Sequence, residues 1–162
     1  MNHHRSQLLR ALLTTVDDSG PQQFVAVTGL TGQTIGQAVR SQHFGLTSVP
    51  PAGAEGLMLA LGGGHDRHHA LGLEHPKYRP INTPSGGTVL YDAYGDAVSI
   101  VQANLKIVHG SQIVLQVGGC SLTITSSGFA YAGGTITHDG HAIDKTHKHV
   151  NSGGAGLSGI PK

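Results

Sequence analysis

The 162-residue sequence predicts an all-β protein: an N-terminal barrel of the OB type, then an intertwined trimeric β-helix or β-prism with a metal-tied end. Three observations predict it. First, the chain holds 25 Gly with only 4% aromatic residues and no Trp, which suits short strands and tight turns better than a helical core. Second, apolar residues of the second half alternate with a period of two, in runs cut by glycine. Third, no other segment of the sequence offers a cover for the apolar faces of those runs.

The N-terminal arm is assigned to residues 1–13. Leu8, Leu9, Leu12 and Leu13 would make one face of a short helix over 4–13, too short to be stable without a partner surface. Residues 14–80 are read as the OB-type domain. "TTVDDSGPQQFVAVTGL" reads as strand, turn, strand, and further strands fall at 35–43, 56–62 and 68–74. Five short strands within about 75 residues, with mixed turn lengths, fit a small barrel. "HPKYRPINTPSGG" is rich in Pro and polar residues and marks a linker, centred on 81–86.

Residues 87–142 form the repetitive half. Val98 and Ile100 share a face, as do Leu105 and Ile107, then Ile113, Leu115 and Val117, then Leu122 and Ile124. Polar residues such as Ser99, Gln112, Thr123 and Thr125 take the other side. Units that cannot bury their own faces are the mark of solenoids and intertwined prisms. Three chains about one axis would bury these faces mutually, giving a cyclic homotrimer.

The last segment, 143–162, carries "HKH" before a Gly/Ser tail. In an extended strand His147 and His149 point to the same side. Three copies about a threefold axis bring six imidazoles together. Zinc prefers four ligands, whereas iron or nickel accept six imidazole nitrogens in an octahedron.

Charge and motif content bear on the alternatives. A net charge of +1 gives no broad footprint for nucleic acid. The barrel region offers only Phe24 and Phe44 before Tyr78 as base-stacking groups, so an OB-type nucleic-acid module is the weaker reading. A trimeric glycan-degrading enzyme would need two carboxylates about 5–10 Å apart. The nine acids fall mainly in turns, as at Asp17, Asp18, Asp66, Asp92, Asp96 and Asp139, so no catalytic residue is assigned. The single Cys120 excludes an intrachain disulfide and reads as a small buried residue. "LLRALLTTV" is too short to span a bilayer, and "MNHHRSQ" does not lead into a signal peptide, so synthesis and solubility in a cytoplasm are expected. A second histidine cluster, "HDRHH" with His65, Asp66, Arg67, His68 and His69, resembles a metal loop in composition. Solvated or trimer-interface histidines are the reading preferred for it.

"FGLTSVPPAGAEGLMLALGGGHDRHHALGLEHPKYRP", "GGTVLYDAYGD" and the terminal "HKH" carry a family resemblance. The chain resembles the Mu-type baseplate assembly protein V family, the central spike of contractile tails, from a phage or a phage-derived tail bacteriocin. The resemblance implies a homotrimeric virion protein at the tip of the tail baseplate, assembled in the host cytoplasm. Its barrel would sit under the tail hub, and its spike would pierce the host outer membrane on sheath contraction. His147 and His149 of each chain would hold one iron ion at the apex. The segment 87–142 is shorter than the spike of Mu-like relatives.

Overall fold

The computed structural model describes residues 7–29, 32–60, 68–143, 147–149 and 156, and these are all-β, with no helix among them. Five strands form a closed barrel: β1 (Gln7–Asp17), β2 (Phe24–Gly29), β3 (Thr34–Arg40), β4 (Glu55–Ala60) and β5 (His68–Glu74), in the order β1-β2-β3-β5-β4. All neighbours are antiparallel except β3 and β5, which close the wall through a short parallel pairing at Val39↔His69 and Arg40↔Ala70.

The helix expected over 4–13 is not formed over the part described, and this corrects the sequence reading. Residues 7–13 are the first half of β1, paired with β4 from Gln7 to Leu12 and with β2 from Ala11 onward. The physical reason is the supply of partners: ten residues make a marginal helix, whereas β1 satisfies its backbone along two neighbouring strands. The leucines therefore split by a period of two rather than sharing a helical face. Leu13 is buried and Leu9 half-buried in the core, while Leu8 and Leu12 face outward. Residues 4–6 lie outside the described set.

The expected strands at 35–43, 56–62 and 68–74 correspond to β3, β4 and β5. β3 stops at Arg40 because the chain turns away at Ser41, and Leu46 N closes a turn onto the His43 carbonyl at 3.1 Å. The barrel core is built from small side chains. Ala11, Ala38, Ala54 and Ala70 stand among Leu13, Val25, Val27, Met58 and Leu73. Gly56 is required where β4 meets a bulge in β5: a Cβ there would lie 2.4 Å from the Leu71 carbonyl oxygen and 2.7 Å from Leu73 N. The register shifts there between Glu55 and Leu57, and Leu73 takes φ 60°, which turns its side chain into the core.

Residues 75–87 contain no strand. Beyond them β6 (Thr88–Tyr91), β7 (Ala97–Val101) and β8 (Asn104–Val108) form an antiparallel sheet in the order β6-β7-β8. Tyr91 donates its hydroxyl to Glu74, which also accepts from Arg79 at 2.9 Å, so the end of β5 is tied to the end of β6.

The chain divides into two compact units, 1–108 and 109–162. The second contains β9 (Gln112–Val117), β10 (Cys120–Thr125) and β11 (Gly128–Ala132) in the order β11-β10-β9, and a hairpin of β12 (Thr137–His138) and β13 (His141–Ala142). The runs singled out by their alternation thus all become strands, at nearly the expected limits.

Candidate metal site and sheet faces

In an antiparallel sheet, residues directly opposite one another project to the same face. The register of β9-β10-β11 sets Ile113, Ile124 and Phe129 in one row, and Leu115, Leu122 and Tyr131 in the next. Val117 faces Cys120 at the end of the same face. The opposite face carries rows such as Gln112, Thr125 and Gly128, or Gln116, Ser121 and Ala132. The middle row of that face is Val114, Thr123 and Ala130, so the sheet is apolar on one side and mixed on the other. Within the single chain its apolar side stays open: Leu115 is 56% exposed, Val117 84% and Phe129 78%.

The β6-β7-β8 sheet repeats the design. Leu90, Val98 and Ile107 form one row, and Thr88, Ile100 and Leu105 the adjacent one. Leu90, Ile100 and Leu105 are all more than half exposed. The other face alternates in Val89, Ser99 and Lys106. Cys120, expected to be buried, is only half-buried, and its Sγ lies within hydrogen-bond reach of the Tyr131 hydroxyl, at 3.0 Å. That bond raises the Tyr131 pKa, with desolvation a smaller contribution in the same direction.

His147 and His149 come together. Their ring centroids are 5.0 Å apart and the planes are nearly perpendicular, at 85°. Metal–imidazole bonds are about 2.1 Å long, so two rings this close can reach a single ion. They fit an imidazole-ligated metal in donor type, and one chain presents two such donors. Among the described residues no group of three or more His, Cys, Asp or Glu converges on one point.

The second histidine cluster is not brought together among the described residues. His65, Asp66 and Arg67 lie outside them. His68 and His69 open β5 and alternate across its wall. His68 is buried, which corrects the solvated reading for that residue, because the strand period turns it inward. His69 is half-buried, with its Nδ1 3.1 Å from the Ser41 hydroxyl.

The described acids are engaged in turns and ion pairs. Asp17 accepts from the Ser19 hydroxyl at 2.6 Å and from Ser19 N at 3.0 Å, and these bonds hold its carboxyl below the usual range. Asp92 accepts from Tyr94 N and Asp96 N and so closes the β6–β7 turn. Glu55 pairs with Arg10 across β1 and β4, and Glu74 with Arg79.

One polar cluster escaped the sequence reading. Arg40 at the end of β3 donates to Gln23 Oε1 at 2.8 Å, to Gln42 Oε1 at 2.9 Å, to the Ser48 hydroxyl at 2.9 Å and to the Ser48 carbonyl. Buried Gln23 passes its amide on to Asp18 at 2.8 Å and to the Ser48 carbonyl at 3.1 Å. Desolvation lowers the Arg40 pKa, and Asp18 opposes it. The cluster pins the loop that follows β3 against the β1–β2 turn. That loop displays Phe44, which is fully exposed. No single local pattern marks the cluster, since its bonds span from 2 to 25 residues in sequence and join two separate connections of the barrel.

Two comparisons with known proteins bear on this chain. Residues 10–77 match the family described as Bacteriophage Mu Gp45, N-terminal. Over 108 residues the chain is 29% identical to the baseplate puncturing device gp45 of Escherichia phage Mu, which covers 67% of this chain and 55% of that relative. The aligned part thus spans about half the length of the curated relative.

Proposed function

We propose, from the premise that residues 10–77 belong to the Mu Gp45 N-terminal family, that this chain is a structural protein of a contractile-tail baseplate. In this reading it is a homotrimeric central spike rather than an enzyme. The barrel, whose strand order β1-β2-β3-β5-β4 supports the OB type, seats the trimer under the tail hub and helps nucleate the baseplate. The half from residue 87 onward forms a rigid needle that passes through the host outer membrane when the sheath contracts. The protein would be assembled in the host cytoplasm and carried at the baseplate tip.

The observation that carries the proposal is the open apolar side of the C-terminal sheets. Covering a half-exposed Leu, Ile or Val gains roughly 1 kcal/mol. Ile100, Leu105, Ile107, Leu115, Val117 and Phe129 alone therefore offer several kcal/mol per chain when three copies turn these faces to a common axis. That is comparable to the whole stability of an ordinary domain. The Gln-, Ser- and Thr-bearing faces would then point outward, giving a needle wetted by water instead of one retained by lipid. Cyclic closure limits the assembly to three copies instead of an open fibre.

His147 and His149 of each chain would hold the apical metal, proposed to be one iron ion per trimer. A bound ion supplies six-coordinate cross-linking of three chain ends. The chain's part is to present two imidazoles close together, as it does.

Light scattering on the purified protein tests the proposal. The expected mass is three times the 16.7 kDa of one chain. A stable monomer at micromolar concentration overturns it.

A further inference from the structure

We infer that the β12–β13 hairpin is a second metal-binding site, in which His138 and His141 chelate a divalent first-row transition ion. The turn between the strands is Asp139-Gly140, with φ 47° and 80°. Two consecutive left-handed residues form the primed two-residue turn whose twist matches that of paired strands. Gly takes such a φ without strain, and Asp tolerates it. The turn fixes the register. His138 stands directly opposite His141, Thr137 opposite Ala142, and Ile143 N donates to the Ile136 carbonyl at 2.9 Å one step further down.

Directly opposed residues share a face, with Cβ atoms about 4.5–5.5 Å apart. Two imidazoles set this way can close on one ion with bonds of about 2.1 Å. The turn sets the two backbone positions opposite one another before the ion arrives, so chelation has only the side chains left to order. Asp139 adds a negative charge. Its Oδ2 lies 3.6 Å from His138 Nδ1. At that distance the carboxylate is a charged neighbour of the ring and not a hydrogen-bond partner, and its negative charge favours a cation held at the hairpin. The His138 side chain is 79% exposed, so an ion reaches it from solvent and water can fill the remaining positions. With two protein ligands per chain, the site binds more weakly than a closed four-ligand zinc site.

The site is separate from the His147/His149 pair and does not depend on the trimer. An ion there would stitch the two strands of the hairpin together at their turn.

The test uses the full chain carrying His147→Ala and His149→Ala, untagged and stripped of metal, titrated calorimetrically with Zn2+ at neutral pH. It is compared with the same protein further changed at His138→Ala or at His141→Ala. Expected is the loss of one Zn2+ per chain in both, and a joint shift of the His138 and His141 ring signals in the starting protein when Zn2+ is added. Asp139→Asn, which keeps a residue tolerant of the left-handed turn, should weaken binding roughly 10-fold. Acidification, which protonates the imidazoles, should release the ion. Equal Zn2+ stoichiometry with and without His138 and His141 overturns the inference, as does a starting protein that takes up no Zn2+. Either result leaves the trimeric spike standing, and a monomer in light scattering leaves the hairpin site standing.

Discussion

The barrel and the sheets from β6 onward use the same alternation of apolar and polar residues to opposite ends. In the barrel, strands curl until the inward positions meet one another, and Leu13, Val25, Val27 and Met58 lose all but a trace of their exposure within one chain. In β9-β10-β11 the inward-type positions line up just as regularly, in the rows of Ile113 and Leu115, yet Leu115, Val117 and Phe129 stay more than half exposed. A closed sheet is its own partner, whereas a flat three-stranded one is half a structure. The difference teaches that period-two patterning specifies a face to be buried but not the molecule that buries it.

The largest expected effect comes from placing a charge on the open face. Leu115→Asp would bring three carboxylates together if that face meets its copies. Uncompensated buried charges cost several kcal/mol, so sedimentation should show the trimer dissociating at micromolar concentration. If the face is bathed in water in the working protein, the change is a surface substitution worth within about 0.5 kcal/mol, and the mass stays the same.

Met58→Ala tests the other side of the contrast. Its side chain is fully buried in the barrel, and truncation should cost about 2–5 kcal/mol in denaturant unfolding of the barrel. The mass of the assembly should not change, because no apolar row of the C-terminal sheets is touched.

A smaller effect is expected at the histidine pair. His147→Ala or His149→Ala removes three ligands per trimer at once, so elemental analysis should find the bound metal gone while the trimer persists. The melting temperature should fall by about 2–4 °C, the shift that 1 kcal/mol produces in a chain of this size. Full metal content in both variants would place the ion elsewhere.

The smallest effect sharpens the boundary between the regions. Tyr91, at the end of β6, has its pKa raised, first by desolvation and then by the nearby Glu74 charge, with Arg79 opposing. The folded state thus favours the neutral phenol. Its contribution is fully present below the ordinary tyrosine pKa of about 10 and is lost as pH rises through the higher folded value. Tyr91→Phe should flatten the alkaline limb of the stability profile, read by thermal melts between neutral and strongly alkaline pH. An unchanged limb would remove the Tyr91–Glu74 tie as its source.

Much of this was legible from local pattern. The strands of the second half could be read because each alternates cleanly and ends at glycine, as in "SQIVLQVGG" and "SLTITSSG". The "HKH" spacing sufficed to expect two imidazoles close together. Residues 7–13 were misread because Leu8, Leu9, Leu12 and Leu13 satisfy a helical spacing as well as a strand one, and only the two flanking strands decide between them. His68 was misread because burial depends on which wall of the barrel a residue faces, which spacing alone does not fix. The Arg40 cluster was invisible for a different reason. It gathers Asp18, Gln23, Gln42 and Ser48 from separate turns, and such gatherings exist only once the strands are closed.

The self-sufficiency of the barrel has a consequence for how the protein is made. Chains emerge from the ribosome N-terminus first, so the barrel, whose core closes within one chain, is complete before the sheets from β6 onward appear. Closure of the barrel is unimolecular and keeps the same pace at any concentration. Under the trimeric reading, burial of the Leu115 face requires encounters, and its pace would climb with the number of chains present. Under that reading each chain would wait between those two events with its barrel already folded.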